Sequence, residues 1–399
     1  MKYFKKLGLL PKVLLAIALG IVFSFFTPDW AVRVFITLNS IFSNLLGLVI
    51  PLLIIGLIAP GITELGRGAG KLLLITAGIA YLSTILAGVF SFFTCEWAYP
   101  KFLGGSIMSL GTLDMSGGLT PYFTIEMPPV MSVTTALVIA FMIGLGLTLV
   151  KGDTFRKLMT DFRDLIYVII SKVIIPFLPI YIFGIFLQMG AEGKVMAVMG
   201  MFLKIIVIIA IMHILLLLIQ FCIAGAISKK NPFKALMTML PAYVTALGTQ
   251  SSAATIPVTL AQTRKNGVRK EIADFVIPLC ATIHLSGSTL KIVACAYAIS
   301  LSLGLPSGFD LYSGFIMMLG ITMVAAPGVP GGAIMAAIGL IASMLGFDAN
   351  MQGLMIALYI AMDSFGTAGN VTGDGAIALI VNSMHFTKKE TTQTDEEVI

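Results

Sequence analysis

Four polar residues in the last apolar segment, Asp363, Thr367, Asn370 and Asp374, recur at spacings of four, three and four. On a helix those spacings stack the side chains along one stripe. The residues around them, from Leu354 to Met384, are mostly apolar, so two carboxylates lie in or near membrane hydrocarbon. An ionised Asp there costs about 2.5–3.5 kcal/mol on insertion scales, and such a residue marks an ion or solute site by default.

A second polar cluster interrupts an apolar stretch between Ile283 and Ile292: Thr282, His284, Ser286, Gly287, Ser288, Thr289 and Lys291. His284 and Lys291 are seven apart and share a helix face. Unwinding there would expose carbonyls suited to a bound cation. A buried ammonium without a partner tends to lose its proton or to pair with a carboxylate, and Asp363 and Asp374 are both candidates. A fixed structural ion pair and a functional charge remain alternatives for Lys291, as do a hydrogen-bonded helix residue and a proton carrier for His284. Lys172 and Lys204, with no carboxylate close in sequence, read as snorkelling side chains.

Two further apolar stretches, about 232–264 and 309–346, are broken at their centres. The first carries Gly248-Thr249-Gln250-Ser251-Ser252-Ala253-Ala254-Thr255-Ile256-Pro257, where freed amides beside hydroxyls can hydrogen-bond a carboxylate as a helix N-terminus does. The second carries Ala325-Ala326-Pro327-Gly328-Val329-Pro330-Gly331-Gly332-Ala333, whose glycines allow close backbone approach and whose prolines break hydrogen bonding, as a lid would need.

The elements that must position these groups are membrane helices. The 399 residues are 58% hydrophobic and 11% charged, with a mean hydropathy of +1.02, which excludes an ordinary soluble protein. Long apolar runs predict helices near 9–27, 31–60, 71–94, 129–150, 164–190, 197–227, 270–302 and 351–385. Lys and Arg gather around 2–12, 67–71, 151–163, 229–234, 264–270 and 388–389, whereas the outer loops receive only Arg33, Lys101 and Lys194. The asymmetry predicts eight crossings with both termini cytoplasmic, if each broken stretch enters and leaves on one side. The expected class is an all-α membrane protein with two oppositely oriented re-entrant hairpins.

The divisions that follow are 1–70 (two helices), 71–128 (a helix, then an external loop over 95–128), 129–190 (two helices), 191–230 (one helix), 231–385 (the two broken stretches, each followed by a helix) and 386–399 (a cytoplasmic tail). The amino terminus has the charged and apolar regions of a signal peptide, but its apolar run reaches Pro28 without a small-x-small site, so it reads as an uncleaved first helix. Cys95, Cys222, Cys280 and Cys295 lack metal spacing and read as small core residues. The net charge of +6 falls in short loops, where topology explains it, and implies no nucleic-acid partner.

Gln250-Ser251-Ser252-Ala253-Ala254-Thr255-Ile256-Pro257, Gly328-Val329-Pro330-Gly331 and Asn370-Val371-Thr372-Gly373-Asp374 resemble the dicarboxylate/amino acid:cation symporter family, which includes the glutamate transporters. The resemblance covers most of the chain and is strongest from about 231 to 385. It implies a homotrimer in the plasma membrane, held by scaffold helices in 1–70 and 129–190, and an elevator-like transport core over 231–385 enclosing a small solute. It also implies a substrate site of Ser251, Ser252, Gly328, Val329, Pro330, Gly331, Asp363, Gly366, Thr367 and Asn370, with Asp363 receiving an amine. A sodium site is implied at Asn370 and Asp374, with Tyr81, Thr84 and Ser286 contributing.

The chain departs from that pattern at instructive places. Gly366 and Gln250 stand where acidic-substrate carriers have arginines, so a neutral amino acid fits more easily than glutamate or aspartate. His284 and Ser286 replace an Asn and an Asp that bind sodium in relatives, so at least one sodium site is expected to be lost. Lys291 is expected to compensate as a fixed cation, or else to pair with a substrate carboxylate. The sequence thus reads as a sodium-coupled secondary symporter of an amino acid or small (di)carboxylate. The alternatives are a proton-coupled carrier or a passive anion-conducting channel. No cofactor beyond Na+ or H+ is implied, and HExxH, GxSxG and nucleotide-loop patterns are lacking, so an enzyme is not expected.

Overall fold

The computed structural model describes residues 8–66, 71–111, 119–193, 195–326, 328 and 330–384. Val329, Gly117, Gly118, Pro327 and the tail expected at 386–399 lie outside the described residues.

Every regular element among the described residues is helical. The helices are α1 (Leu9–Ser24), α2 (Asp29–Gly66), α3 (Lys71–Gly111), α4 (Val133–Leu149) and α5 (Thr154–Ile169), the last joined through a π turn, Ile170–Ile174, to α6 (Ile175–Ala191). There follow α7 (Val195–Ser228), α8 (Pro232–Thr249), α9 (Ser252–Lys265), α10 (Lys270–Ile283) and α11 (Ser286–Ser302). The chain ends with α12 (Phe309–Val324), α13 (Gly332–Leu345), α14 (Ala349–Ala361) and α15 (Asp363–Met384). Among the described residues five runs are long and apolar enough to cross a membrane: α2, α3, α5 with α6, α7, and α10 with α11. The α14–α15 pair, bent by 60°, makes a sixth if counted as one span.

Side-chain exposure follows the same logic. Leu203, Val207, Ile211 and Ile214 on α7, and Leu74, Leu82, Leu86 and Phe93 on α3, face outward. Apolar rows of this kind are covered by lipid chains rather than water. The polar residues lie inside instead: α15 is buried almost continuously from Asp363 to Val381.

One element is longer than the sequence suggests. Helix α3 continues through Pro100 to Gly111, past the boundary at 94 where the charge of Glu96 and Lys101 reads as the start of a loop. Cys95, Ala98, Tyr99 and Leu103 are buried, a spacing of three, one and four that keeps one helical stripe on the core. Lys101 remains outside, its Nζ 4.1 Å from the centroid of the Trp97 ring, which is how a cation is accommodated on such an extension.

The helices form two packing groups. Helix α1 lies along α6, and α2 packs against α4, α5 and α6. Helix α15 is surrounded by α7, α8, α9, α10 and α11, while α3 covers α7, α11 and α12. The groups are joined at several places: α12 and α13 meet α2, α14 meets α1 and α6, and α6 meets α7.

Candidate functional site

Four helix breaks meet at the polar groups. Between α8 and α9, Gln250 takes a left-handed conformation with φ of 54°, and Ser251 caps α9 by accepting from the Ala254 N–H at 3.3 Å. Such a φ costs an ordinary residue roughly 1 kcal/mol or more, which the cap and the hydroxyl pair Thr249–Thr255 at 3.0 Å help to hold. Between α12 and α13 the chain turns through Gly331, whose φ of 75° favours glycine. The Ser251 hydroxyl donates to the Gly328 carbonyl at 3.2 Å, so the two tips touch.

The remaining breaks lie beneath them. Helix α11 starts afresh after His284 and Leu285, leaving its first N–H groups without helical acceptors. Asn370 supplies the acceptor from another helix: its Oδ1 receives the Gly287 N–H at 2.8 Å and the Ser288 N–H at 3.2 Å. Its Nδ2 donates to Ser288 Oγ at 3.0 Å, and Tyr359 donates to the same oxygen at 3.1 Å. The fit is close, because a Cβ at Gly287 would lie 2.6 Å from the Gly366 carbonyl.

Two carboxylate-centred clusters flank Asn370. In the first, the bend at Met362 turns Asp363 onto Lys291. The Lys291 ammonium is fully buried, 3.2 Å from Asp363 Oδ1 and 3.3 Å from the Met362 carbonyl oxygen. It also lies over the Tyr359 ring at 3.4 Å from the centroid. The other carboxylate oxygen, Asp363 Oδ2, accepts the Gly331 N–H at 2.8 Å. In the second cluster His284 Nδ1 is 2.8 Å from Asp374 Oδ1 and His284 Nε2 is 3.0 Å from Ser83 Oγ. Gln220 Nε2 then donates to Ser83 Oγ and Ser286 Oγ at 3.0 and 3.1 Å. Asp374 Oδ2 is buried and has no hydrogen-bond partner.

The other residues singled out in the sequence fall as follows. Thr367 is buried and donates to the Asp363 carbonyl at 3.0 Å. Ser252 is buried in the first turn of α9, and Gly366 is buried on α15. Pro330 is half-buried beside Gly331. Tyr81 donates to the Met317 carbonyl at 3.4 Å and Thr84 to the Ala80 carbonyl at 2.9 Å, so neither hydroxyl hydrogen points at Asp374. Ser83, Gln220, Tyr359 and His213 belong to the clusters but escape a sequence reading. His213 is buried, with ring nitrogens 2.8 Å from the Ile209 carbonyl and 3.1 Å from that of Gly287. One signal points to it: His213 and Gln220 are seven apart on the otherwise apolar α7 and share a face.

Beside the tips a cavity of about 330 Å³ separates the two packing groups. It is bounded by Gly61, Arg163 and Tyr167 on one side and by Thr282, Ala326 and Gly328 on the other. The four helix breaks bring hydroxyls, backbone amides and compensated carboxylates together, which is chemistry for holding a solute or ion.

Comparison with known proteins agrees with this. The model of the sodium:dicarboxylate symporter family matches residues 9–384. The chain is 28% identical to the serine/threonine transporter SstT of Acinetobacter baumannii (strain AYE) over 393 residues, covering 94% of this chain and 96% of that protein. It is 30% identical to human excitatory amino acid transporter 2 over 275 residues, covering 65% of this chain and 46% of that one.

Proposed function

The chain belongs to the sodium:dicarboxylate symporter family, and from that premise we propose that it is a secondary active carrier taking up a small solute with a single carboxylate, the class that includes neutral amino acids. It is a multi-pass membrane transporter, not an enzyme. The observation that carries the solute class is Gly366: no side chain leaves α15 there, and the nearest cation, Lys291, is committed to Asp363, the Met362 carbonyl and the Tyr359 ring. A second acidic group on the solute would be desolvated without a guanidinium to meet it, which is strongly unfavourable. The bacterial relative is a serine/threonine transporter, which supports a solute of this kind.

In this reading the solute carboxylate lies between the Ser251–Ser252 turn and the α12–α13 tip, with Thr367 below. The helix pairs α8–α9 and α12–α13 are re-entrant hairpins, and α1, α2, α3, α4, α5–α6, α7, α10–α11 and α14–α15 are eight crossings. Two packing groups with a cavity between them at Gly61, Tyr167 and Gly328 support movement of one past the other, in a trimer anchored by α2, α4 and α5. Sodium enters as cargo. Asp374 Oδ2, buried and unpartnered, fits a cation, whereas Oδ1 is held by His284, which supports fewer coupled ions than an all-oxygen site would take.

Purified protein in liposomes tests this. An inward sodium gradient should drive labelled serine or another single-carboxylate solute above equilibrium, with aspartate and succinate poor competitors. Asp374→Asn should lower the sodium-driven component by about a hundredfold, equivalent to roughly 3 kcal/mol for one lost charged contact. Flux that only equilibrates would identify a channel. Preference for diacids would overturn the solute class, and accumulation driven by a proton gradient alone would overturn the coupling ion.

A further inference from the structure

Lys291 and Gly366 are a matched pair. A Cβ built at Gly366 would lie 2.8 Å from Lys291 Nζ and 3.0 Å from its Cε, so the lysine side chain occupies the space that any larger residue at 366 would need. In the same place the ammonium has used its directions: one carboxylate oxygen, one carbonyl oxygen and one aromatic face surround it. An ammonium has three donors and no acceptor, and its full burial here leaves it no water to fall back on.

The same contacts fix the state of Asp363. Its Oδ1 faces Lys291 and its Oδ2 accepts from the Gly331 amide, so both oxygens are engaged by the protein itself. An amino group on a solute would have to bring a second cation to a carboxylate that already has a tethered one. The tethered cation has the advantage of effective concentration, and two cations on one carboxylate repel each other.

We propose that Lys291 is a built-in replacement for a solute amino group, so that the site accepts short monocarboxylates whether or not they carry an amine. The substrate class therefore extends to 2-hydroxy acids and unsubstituted short acids. This deepens the single-carboxylate reading of the site and rests on it. Lys291 is a positioning residue here: it acts through Asp363 and makes no contact of its own with the solute.

The test compares amino acids with their deaminated counterparts of equal shape, in proteoliposomes under a fixed sodium gradient: serine against glycerate, and alanine against lactate. Wild-type protein is expected to take up the hydroxy acid with a KM within about threefold of the amino acid's, or below it. Lys291→Met frees Asp363, and the preference should move at least about tenfold toward the amino acid. A ratio of two substrates is read within each protein, so a general loss of activity cannot imitate the shift. Wild-type transport of the amino acids with the hydroxy acids ignored would overturn the inference and leave the proposed function standing. Transport of neither group would overturn the proposed function itself. A Lys291→Met protein that transports with an unchanged ratio would also overturn the inference. If that variant does not fold, the wild-type ratio decides alone.

Discussion

Asn370→Leu should abolish transport and lower stability by about 2–5 kcal/mol, the cost of leaving two buried N–H groups without acceptors. The side chain is nearly isosteric, so the loss is of hydrogen bonds rather than volume. Gly287 and Ser288 would keep their N–H groups in the interior, because α15 and α11 press together there with a Cβ excluded at Gly287. Thermal unfolding of the purified variant in detergent reads the stability term, and liposome uptake reads the activity. Asn370→Asp retains the acceptor at the positive end of α11, where a negative charge is favoured, and should recover most of the stability. A leucine variant that melts with the wild-type protein would show that the start of α11 does not depend on this contact.

Gly366→Arg is the second large effect. The arginine side chain would enter the space held by Lys291, and two cations about 4 Å apart repel by about 4 kcal/mol at an effective dielectric of 20. Overpacking adds about 1–3 kcal/mol. Uptake of every substrate should fall below detection. Combining it with Lys291→Ala removes both penalties, and a guanidinium is then available for bidentate contact with a second carboxylate. The double variant is expected to regain uptake, now of aspartate or succinate. Transport by Gly366→Arg alone at wild-type rates would mean that Lys291 can leave its place at no cost.

Much of the architecture was legible because its signals are local. The stripe at Asp363, Thr367, Asn370 and Asp374 and the two Gly/Pro or Ser/Thr interruptions are written in spacing and composition, and the structure puts breaks at those places. The partners were not legible. Lys291 had two candidate carboxylates, 72 and 83 positions away in sequence, and only the bend at Met362 selects Asp363. Ser83 and Gln220 reach the His284 cluster from α3 and α7, far from it in the chain. Serine and glutamine on apolar helices carry no periodic signature of their own. Tyr81 and Ser83 are two apart and therefore face different ways on α3, and a family pattern alone does not say which hydroxyl turns inward. The extension of α3 to Gly111 was hidden for a different reason: its outer face is charged and aromatic, and hydropathy averages over both faces.

The bond from the Gly331 amide to Asp363, with Ser251 joined to Gly328, ties the two tips to each other and to the start of α15. The α12–α13 tip cannot part from α15 without giving up a hydrogen bond to a buried carboxylate. Because Lys291 holds the other oxygen of that carboxylate, any opening of the tip also disturbs the charge balance at the buried lysine.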